Sequence, residues 1–405
     1  MISVSDAIKL LLEHRPKRPV TTMALENCLC ATLAEDIQAK ITLPPLAASA
    51  MDGYAVKLDD VRKAGAKLTV IGVSPAGHPF EGTVNSGEAV RIFTGGAVPK
   101  GADHIVIQEN AEREGDILTT LFDNEAPRHI RNAGIDFTKS DTLLSQGTHI
   151  GPMHIAIAAA ANHAELPIYK RPIIALLANG DELKAPGSMV SEKDVISSNS
   201  AGLGALIQHW GGEVMDLGIA SDSLEAITAL IQKAKDADII VPVGGASVGD
   251  HDYMRDAFKN CDLTSVFEKV AVRPGKPTWF GTMGKQVVLG LPGNPASATV
   301  CAHLFLKILM GREDNLHFAK AQLTEPIKAN GPRETYLRAF AKLSNTCQLE
   351  VRPFPRQDSS LLTPLTKANV LIRLSKDSGP WEDGDVIDIL PLGTSLISAA
   401  NGTKP

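Results

Sequence analysis

From residue 171 to about residue 311 the chain alternates between short apolar β-branched runs and helical patterns, and this alternation constrains the fold more than any other feature. A strand-like run at 173–177 precedes a helical pattern at 201–210, which starts near Asn199 and stops at Gly211. Strand-like 214–218, a helix at 223–235 and the apolar run 239–243 follow. This β-α-β-α-β order predicts a doubly wound, mostly parallel sheet with helices on both faces, because parallel neighbours need crossover connections of this length. Further strands at 266–272 and 287–291 lead into a helix from about Pro295 to Met310.

The flanking segments have different textures. Val4, Ala7, Ile8, Leu11 and Leu12 recur at helical spacing behind Ser3 and Asp6, a capping-box pair, and Pro16 and Pro19 close that helix. Short β-like runs broken by Gly, Pro and Asn occupy the stretch from Pro44 to Gly134. An Ala-rich pattern at 153–164, behind Gly151-Pro152, reads as a helix. Beyond Lys320 the texture is β again, with runs at 335–343, 348–353, 370–374 and 386–390. The expected architecture is therefore multidomain α/β plus β. Residues 1–19 and 171–318 form the α/β domain, 20–44 and 135–170 a helical linker domain, 45–134 an inserted β-rich lobe, and 319–405 a C-terminal domain resembling a β-barrel.

Composition narrows the function classes. With 40 basic and 46 acidic residues the net charge is −6, so the global electrostatic footprint of a nucleic-acid binder is missing. The 18 aromatic residues (Phe 11, Trp 3, Tyr 4) are too few to suggest base-stacking platforms. The five cysteines form no CxxC pair and no zinc-like spacing with histidine, which points to thiols of a reducing compartment; Cys28 and Cys30 read as small core residues. No signal-like N-terminus and no apolar run long enough for a membrane span is visible, so a cytoplasmic location is expected.

In an open parallel sheet, ligands bind at the carboxyl ends of the strands. Here those ends carry Asn179-Gly180-Asp181-Glu182, the loop from Gly244 and Gly245 through Ser247 to Asp252 and Tyr253, and Gly290-Leu291-Pro292-Gly293-Asn294-Pro295-Ala296-Ser297. Any one of these is an ordinary tight turn, but three at one sheet edge can bring backbone N–H groups and a helix N-terminus to a phosphate-like anion. Beside them Lys269, Arg273 and Lys276 precede Pro277, and the Pro-Gly turn should hold Arg273 and Lys276 off a regular strand so that both reach one anion. Glu182, Asp222 and Asp252 follow the first three strands, a donor set suited to magnesium or another hard divalent cation. Asp222 is alternatively the N-cap of the helix at 223–235. No Walker-type phosphate loop and no GxGxxG after the first strand is present.

The motifs Ser49-Ala50-Met51-Asp52-Gly53-Tyr54, Gly87 to Gly95, Gly180-Asp181-Glu182-Leu183, Gly244 to Tyr253, Arg273 to Pro277 and Gly290 to Ala298 resemble those of the MoeA-type molybdopterin molybdenumtransferases, the family of the gephyrin C-terminal domain. The resemblance implies an enzyme of molybdenum cofactor synthesis whose substrates are adenylylated molybdopterin and molybdate and which releases AMP. It implies a homodimer, with the molybdopterin adenylyltransferase as a further partner and neither nucleic acid nor membrane involved. Carried over by position, Asp52, Thr94, Asp136, Glu182, Asp222, Asp252 and Lys269 would be catalytic. Gly244, Gly245, Ser247, Arg273, Lys276, Pro277, Gly293, Asn294, Ser297, Arg338 and Ser360 would bind the pterin, phosphate or molybdate, and the metal would sit on Glu182, Asp222 and Asp252.

The chain departs from the family pattern at several positions. Leu46-Ala47-Ala48 stands where Phe-Asp-Asn is common, Ser197-Ser198-Asn199 where Asp-Ser-Asn is usual, Asn179 where Ser or Thr is usual, and Arg273 where Lys is. Two alternatives follow: a paralogue that binds pterin or nucleotide without turnover, as carrier or scaffold, and a molybdopterin adenylyltransferase.

Overall fold

The computed structural model describes residues 1–244, 253–312 and 317–393. Two compact units result, Met1–Pro19 together with Lys170–Pro405, and Val20–Tyr169. Among the described residues no helix is long and apolar enough to cross a membrane.

The first unit is organised by a six-stranded sheet. In spatial order its strands are Glu213–Ala220, Ile173–Asn179, Ile239–Val243, Gln286–Gly290, Trp279–Met283 and Thr264–Phe267. The first four are parallel, as the alternating pattern predicts, and the last two are antiparallel. Strand order reverses beside Ile173–Asn179, so the ends of that strand and of Ile239–Val243 flank the switch point. Successive residues face opposite layers. Ile174 and Leu176 enter a core shared with Val4, Ala7 and Leu11 of the first helix, while Ala175 and Leu177 pack with Ile227, Phe258 and Val288 on the other side.

Three details differ from the sequence expectation. The run at 266–272 is not one strand: Thr264–Phe267 forms the sheet edge, Val270 bridges Ile2, and Val272–Arg273 pairs in parallel with Glu334 and Thr335. Arg273 therefore ends a short strand instead of standing wholly off one. Second, Trp279–Met283 and Gln286–Gly290 form a hairpin whose first strand carries no clear alternation, because Gly281 interrupts it. Third, the helix that begins at Pro295 passes through a π-helical stretch, Ala302–Leu306, before Lys307–Leu309. That stretch presents His303 edge-on to Trp210, with ring centroids 5.0 Å apart, and Lys307 Nζ lies 5.1 Å from the same ring centroid.

The His303 ring is 3% exposed, its Nδ1 has no partner, and burial, followed by the charges of Lys307 and His209, pushes its pKa down to about 3. In the unfolded chain this histidine titrates near 6.5 and takes up a proton that the native ring refuses. Its contribution to stability is thus complete above that value and is lost as pH falls towards about 3, at on the order of 1.4 kcal/mol per pH unit. Urea denaturation at about pH 7 and about pH 5 should show this extra acid sensitivity in the native chain and less of it in His303→Phe. Equal pH dependence in the two proteins would contradict the assignment.

Residues 319–391 close a five-stranded barrel, in the order Glu334–Leu343, Leu349–Pro353, Ala319–Leu323, Val386–Pro391, Val370–Leu374 and back to Glu334–Leu343. Its core includes Leu323, Ala339, Val351, Ile372 and Ile389. Closure leaves these five strands without a free edge.

The second unit holds a six-stranded mixed sheet built from segments between Gly53 and Thr120, and a three-stranded sheet of Val20–Ala24, Glu165–Tyr169 and Thr32–Leu33. The Ala-rich helix is shorter than its composition suggests. It spans Pro152–Ala160, Asn162 turns the chain with φ +68°, and Glu165–Tyr169 runs antiparallel to Val20–Ala24. All five cysteines are free thiols, with Cys28 buried and Cys30 half-buried.

Candidate functional site

A cavity of about 570 Å³ opens at the carboxyl ends of the parallel strands, beside the switch point. Asn179 ends the first strand into it, Gly244 follows the third, and the turn Pro292–Pro295 follows the strand Gln286–Gly290. The start of the helix Ser198–His209 contributes Ser198 and Asn199. Asn199 Nδ2 donates to the Gly293 carbonyl at 2.6 Å and so fixes the turn between strand and helix.

Of the described acidic groups only Glu182 lines the cavity, while Asp222 is bonded to Asn179, which also lines it. Glu182 lines the cavity and folds back over Gly180, where an added Cβ would lie 2.6 Å from Glu182 Oε2. Gly180 has φ +146°, in the region that side chains rarely adopt, so both the backbone and the space reserve this position for glycine. Asn179 Nδ2 donates to Asp222 Oδ1 at 2.7 Å, and the Asp222 N–H donates to Asp181 Oδ1 at 3.2 Å. Asp222 is not the helix cap: Ser223 is, its Oγ accepting from Ala226 N–H at 3.2 Å at the start of Leu224–Lys233.

The cationic turn flanks this cavity. Pro277 lines it, whereas Lys269, Arg273 and Lys276 are not among the lining residues. Gly275 is pressed against the helix Pro295–Cys301 so closely that a Cβ would lie 2.2 Å from Cys301 Sγ, and Thr278 Oγ1 donates to the Gly275 carbonyl at 2.8 Å. These contacts hold the turn on the helix, with Arg273 and Lys276 exposed on either side of it. Ser297, expected to face an anion, is 4% exposed within the helix and does not line the cavity.

From the barrel, Ser360 lines the cavity, but its N–H and Oγ both donate to Asp358 Oδ1, at 2.8 and 2.6 Å. Those two donors hold the Asp358 carboxyl below the usual range. Arg338 does not face the cavity, contrary to expectation. It is 1% exposed, and its guanidinium donates to the carbonyls of Asp358 and Leu361 and to Gln357 Oε1.

In the Val20–Tyr169 unit, Asp52 and Thr94 come together. Asp52 Oδ1 accepts from the Thr94 N–H at 2.7 Å and from its hydroxyl at 2.8 Å, and these bonds, the backbone one foremost, hold the carboxyl below its ordinary range. Arg91 lies near both Tyr54 and Phe93, 5.0 and 4.9 Å from the ring centroids, and donates to Gln108 Oε1 at 2.7 Å. Asp136 is exposed, and no hydrogen bond joins it to the Asp52–Thr94 pair.

Known proteins share this organisation along the whole chain. Residues 2–162 match the family described as the MoeA N-terminal region (domain I and II), 175–311 the probable molybdopterin binding domain, and 320–392 the MoeA C-terminal region (domain IV). A molybdopterin molybdenumtransferase of Haemophilus influenzae is 31% identical over 406 residues, covering 98% of this chain and 100% of the relative. The chain belongs to the molybdopterin molybdenumtransferase family. A second such enzyme, from Nostoc, is 32% identical over 381 residues, or 91% of this chain and 84% of its own length. The crystal structure of a molybdopterin biosynthesis MoeA protein from Pyrococcus horikoshii OT3 has 26% identity and a TM-score of 0.78, covering 96% of this chain and 99% of that one.

Of the residues carried over from this molybdenumtransferase family, the cavity gathers Glu182, Gly244, Pro277, Gly293, Asn294 and Ser360. Gly245, Ser247 and Asp252 lie outside the described residues. Sequence reasoning missed Asn199 and Ser359, which lock the cavity walls; the signal for Asn199 was its place at the start of a helix directly after a strand-end loop. Among the described residues no group of three or more His, Cys, Asp or Glu is close enough to hold a metal by itself.

Proposed function

We propose that this chain inserts molybdate into adenylylated molybdopterin and releases AMP, as a cytoplasmic homodimer that receives its substrate from a molybdopterin adenylyltransferase. The observation that carries this reading is the cavity at the switch point, with Glu182 at its mouth, in a chain that matches the family's three regions in order.

Glu182 and Asp222 would hold magnesium, with Asp252 as the third carried-over ligand. When bound, such an ion stabilises charge on phosphoanhydride oxygens as a Lewis acid. Asn199, through the Gly293 carbonyl, keeps the cavity wall in one shape, so a planar pterin or nucleotide meets a largely preformed surface. Lys269, Arg273 and Lys276 supply positive charge beside the cavity for the phosphates and for molybdate, which are all anions. Within its own unit, Asp52, whose carboxyl Thr94 holds below its ordinary range, is the carried-over carboxylate.

A mixture of adenylylated molybdopterin, molybdate and magnesium tests the reading. AMP release with cofactor formation is expected. Binding without turnover would replace it with the carrier paralogue, and ATP-dependent addition of AMP to molybdopterin with the adenylyltransferase. Light scattering should give twice the chain mass of 43.0 kDa, and a monomer with full activity would remove the homodimer.

A further inference from the structure

The barrel loop that borders the cavity is built around one glutamine. Gln357 Oε1 accepts from the Arg338 backbone N–H at 3.0 Å and from its Nε at 3.2 Å, while Gln357 Nε2 donates to the carbonyls of Arg338 and Phe354 at 2.9 and 2.8 Å. The amide thus makes four bonds, two in each direction, on a half-buried side chain. Arg338 extends the clasp through the Asp358 and Leu361 carbonyls. The next residues seat the loop on the α/β core. Asn294 Nδ2 donates to Ser359 Oγ at 2.9 Å, and the Ala296 N–H, near the start of the helix Pro295–Cys301, donates to the Ser359 carbonyl at 3.0 Å. Asn294 and Ser360 both line the cavity.

We propose that Gln357 is a positioning residue for the substrate: through Arg338 it holds loop 354–361 against Asn294, so that Ser360 and the Asn294 turn form one continuous wall. The inference rests on the reading of this cavity as the substrate site. Gln357 and Arg338 touch no substrate in this arrangement. Both act through the loop, and the helix donor at Ala296 is taken up by that loop instead of facing a bound anion.

The test compares native chain, Gln357→Ala and Gln357→Glu for AMP release from adenylylated molybdopterin, with hydrogen exchange read by mass spectrometry. Gln357→Ala should raise KM about tenfold with kcat changed less than about twofold, since the lost interaction orders the binding surface before substrate arrives. Exchange should rise in 354–361 and stay unchanged in the parallel strands. Gln357→Glu, which still accepts from Arg338, should recover part of the KM. Ser359→Ala, which removes the Asn294 contact without touching the clasp, should raise KM in the same direction and guards against a folding defect in the first variant. Unchanged KM in both Gln357→Ala and Ser359→Ala, or a fall in kcat alone, would overturn the positioning role. A native chain that releases no AMP would instead defeat the functional reading, and this inference with it.

Discussion

Glu182→Gln is expected to slow AMP release on the order of a hundredfold, because a missing charge hurts most where charge shifts during phosphoanhydride cleavage. The side chain is exposed at the cavity mouth, so the melting temperature should stay close to that of the native chain. Gly180→Ala provides an independent approach to the same carboxylate. Its Cβ would lie 2.6 to 2.9 Å from the Glu182 carboxylate atoms, so the carboxylate must shift even though its chemistry is untouched. Both variants should lose magnesium-dependent turnover while retaining AMP binding, measured by calorimetry. If Glu182→Gln turned over at the native rate, the carboxylate would have no part in the chemistry.

The largest stability effect is expected at Arg338→Met. The guanidinium is 1% exposed, and its removal strands the carbonyls of Asp358 and Leu361 and deprives Gln357 Oε1 of one donor. Removing a buried, multiply hydrogen-bonded charge leaves unpaired polar groups behind and should cost about 3 to 5 kcal/mol. Urea denaturation reads this directly. A loss below about 1 kcal/mol would mean that water replaces the guanidinium without penalty, and the clasp would then not hold the loop.

Where a side chain's role depends on local pattern, the sequence was readable. The strands Ile173–Asn179 and Ile239–Val243 are buried on both faces and therefore appear as continuous apolar runs, and the glycines at their ends mark the switch point. Glu182 and Asn294 reach the cavity because they sit in those loops. Roles set by distant partners were not readable. Nothing near Arg338 shows that its guanidinium donates to residues 356–361, some twenty positions ahead, and its motif position alone suggested an anion ligand. Ser223, not Asp222, caps its helix because Asn179, more than forty residues upstream, holds the Asp222 carboxylate. The run at 266–272 splits because its partners, Ile2 and Glu334, come from opposite ends of the chain.

The most direct measurement of the central claim is the amount of AMP released against molybdenum cofactor formed in the same sample, with molybdate present or withheld. Equal amounts of the two products, and little of either without molybdate, are predicted. Stable nucleotide binding with no AMP released in the presence of molybdate and magnesium would contradict the insertion reaction.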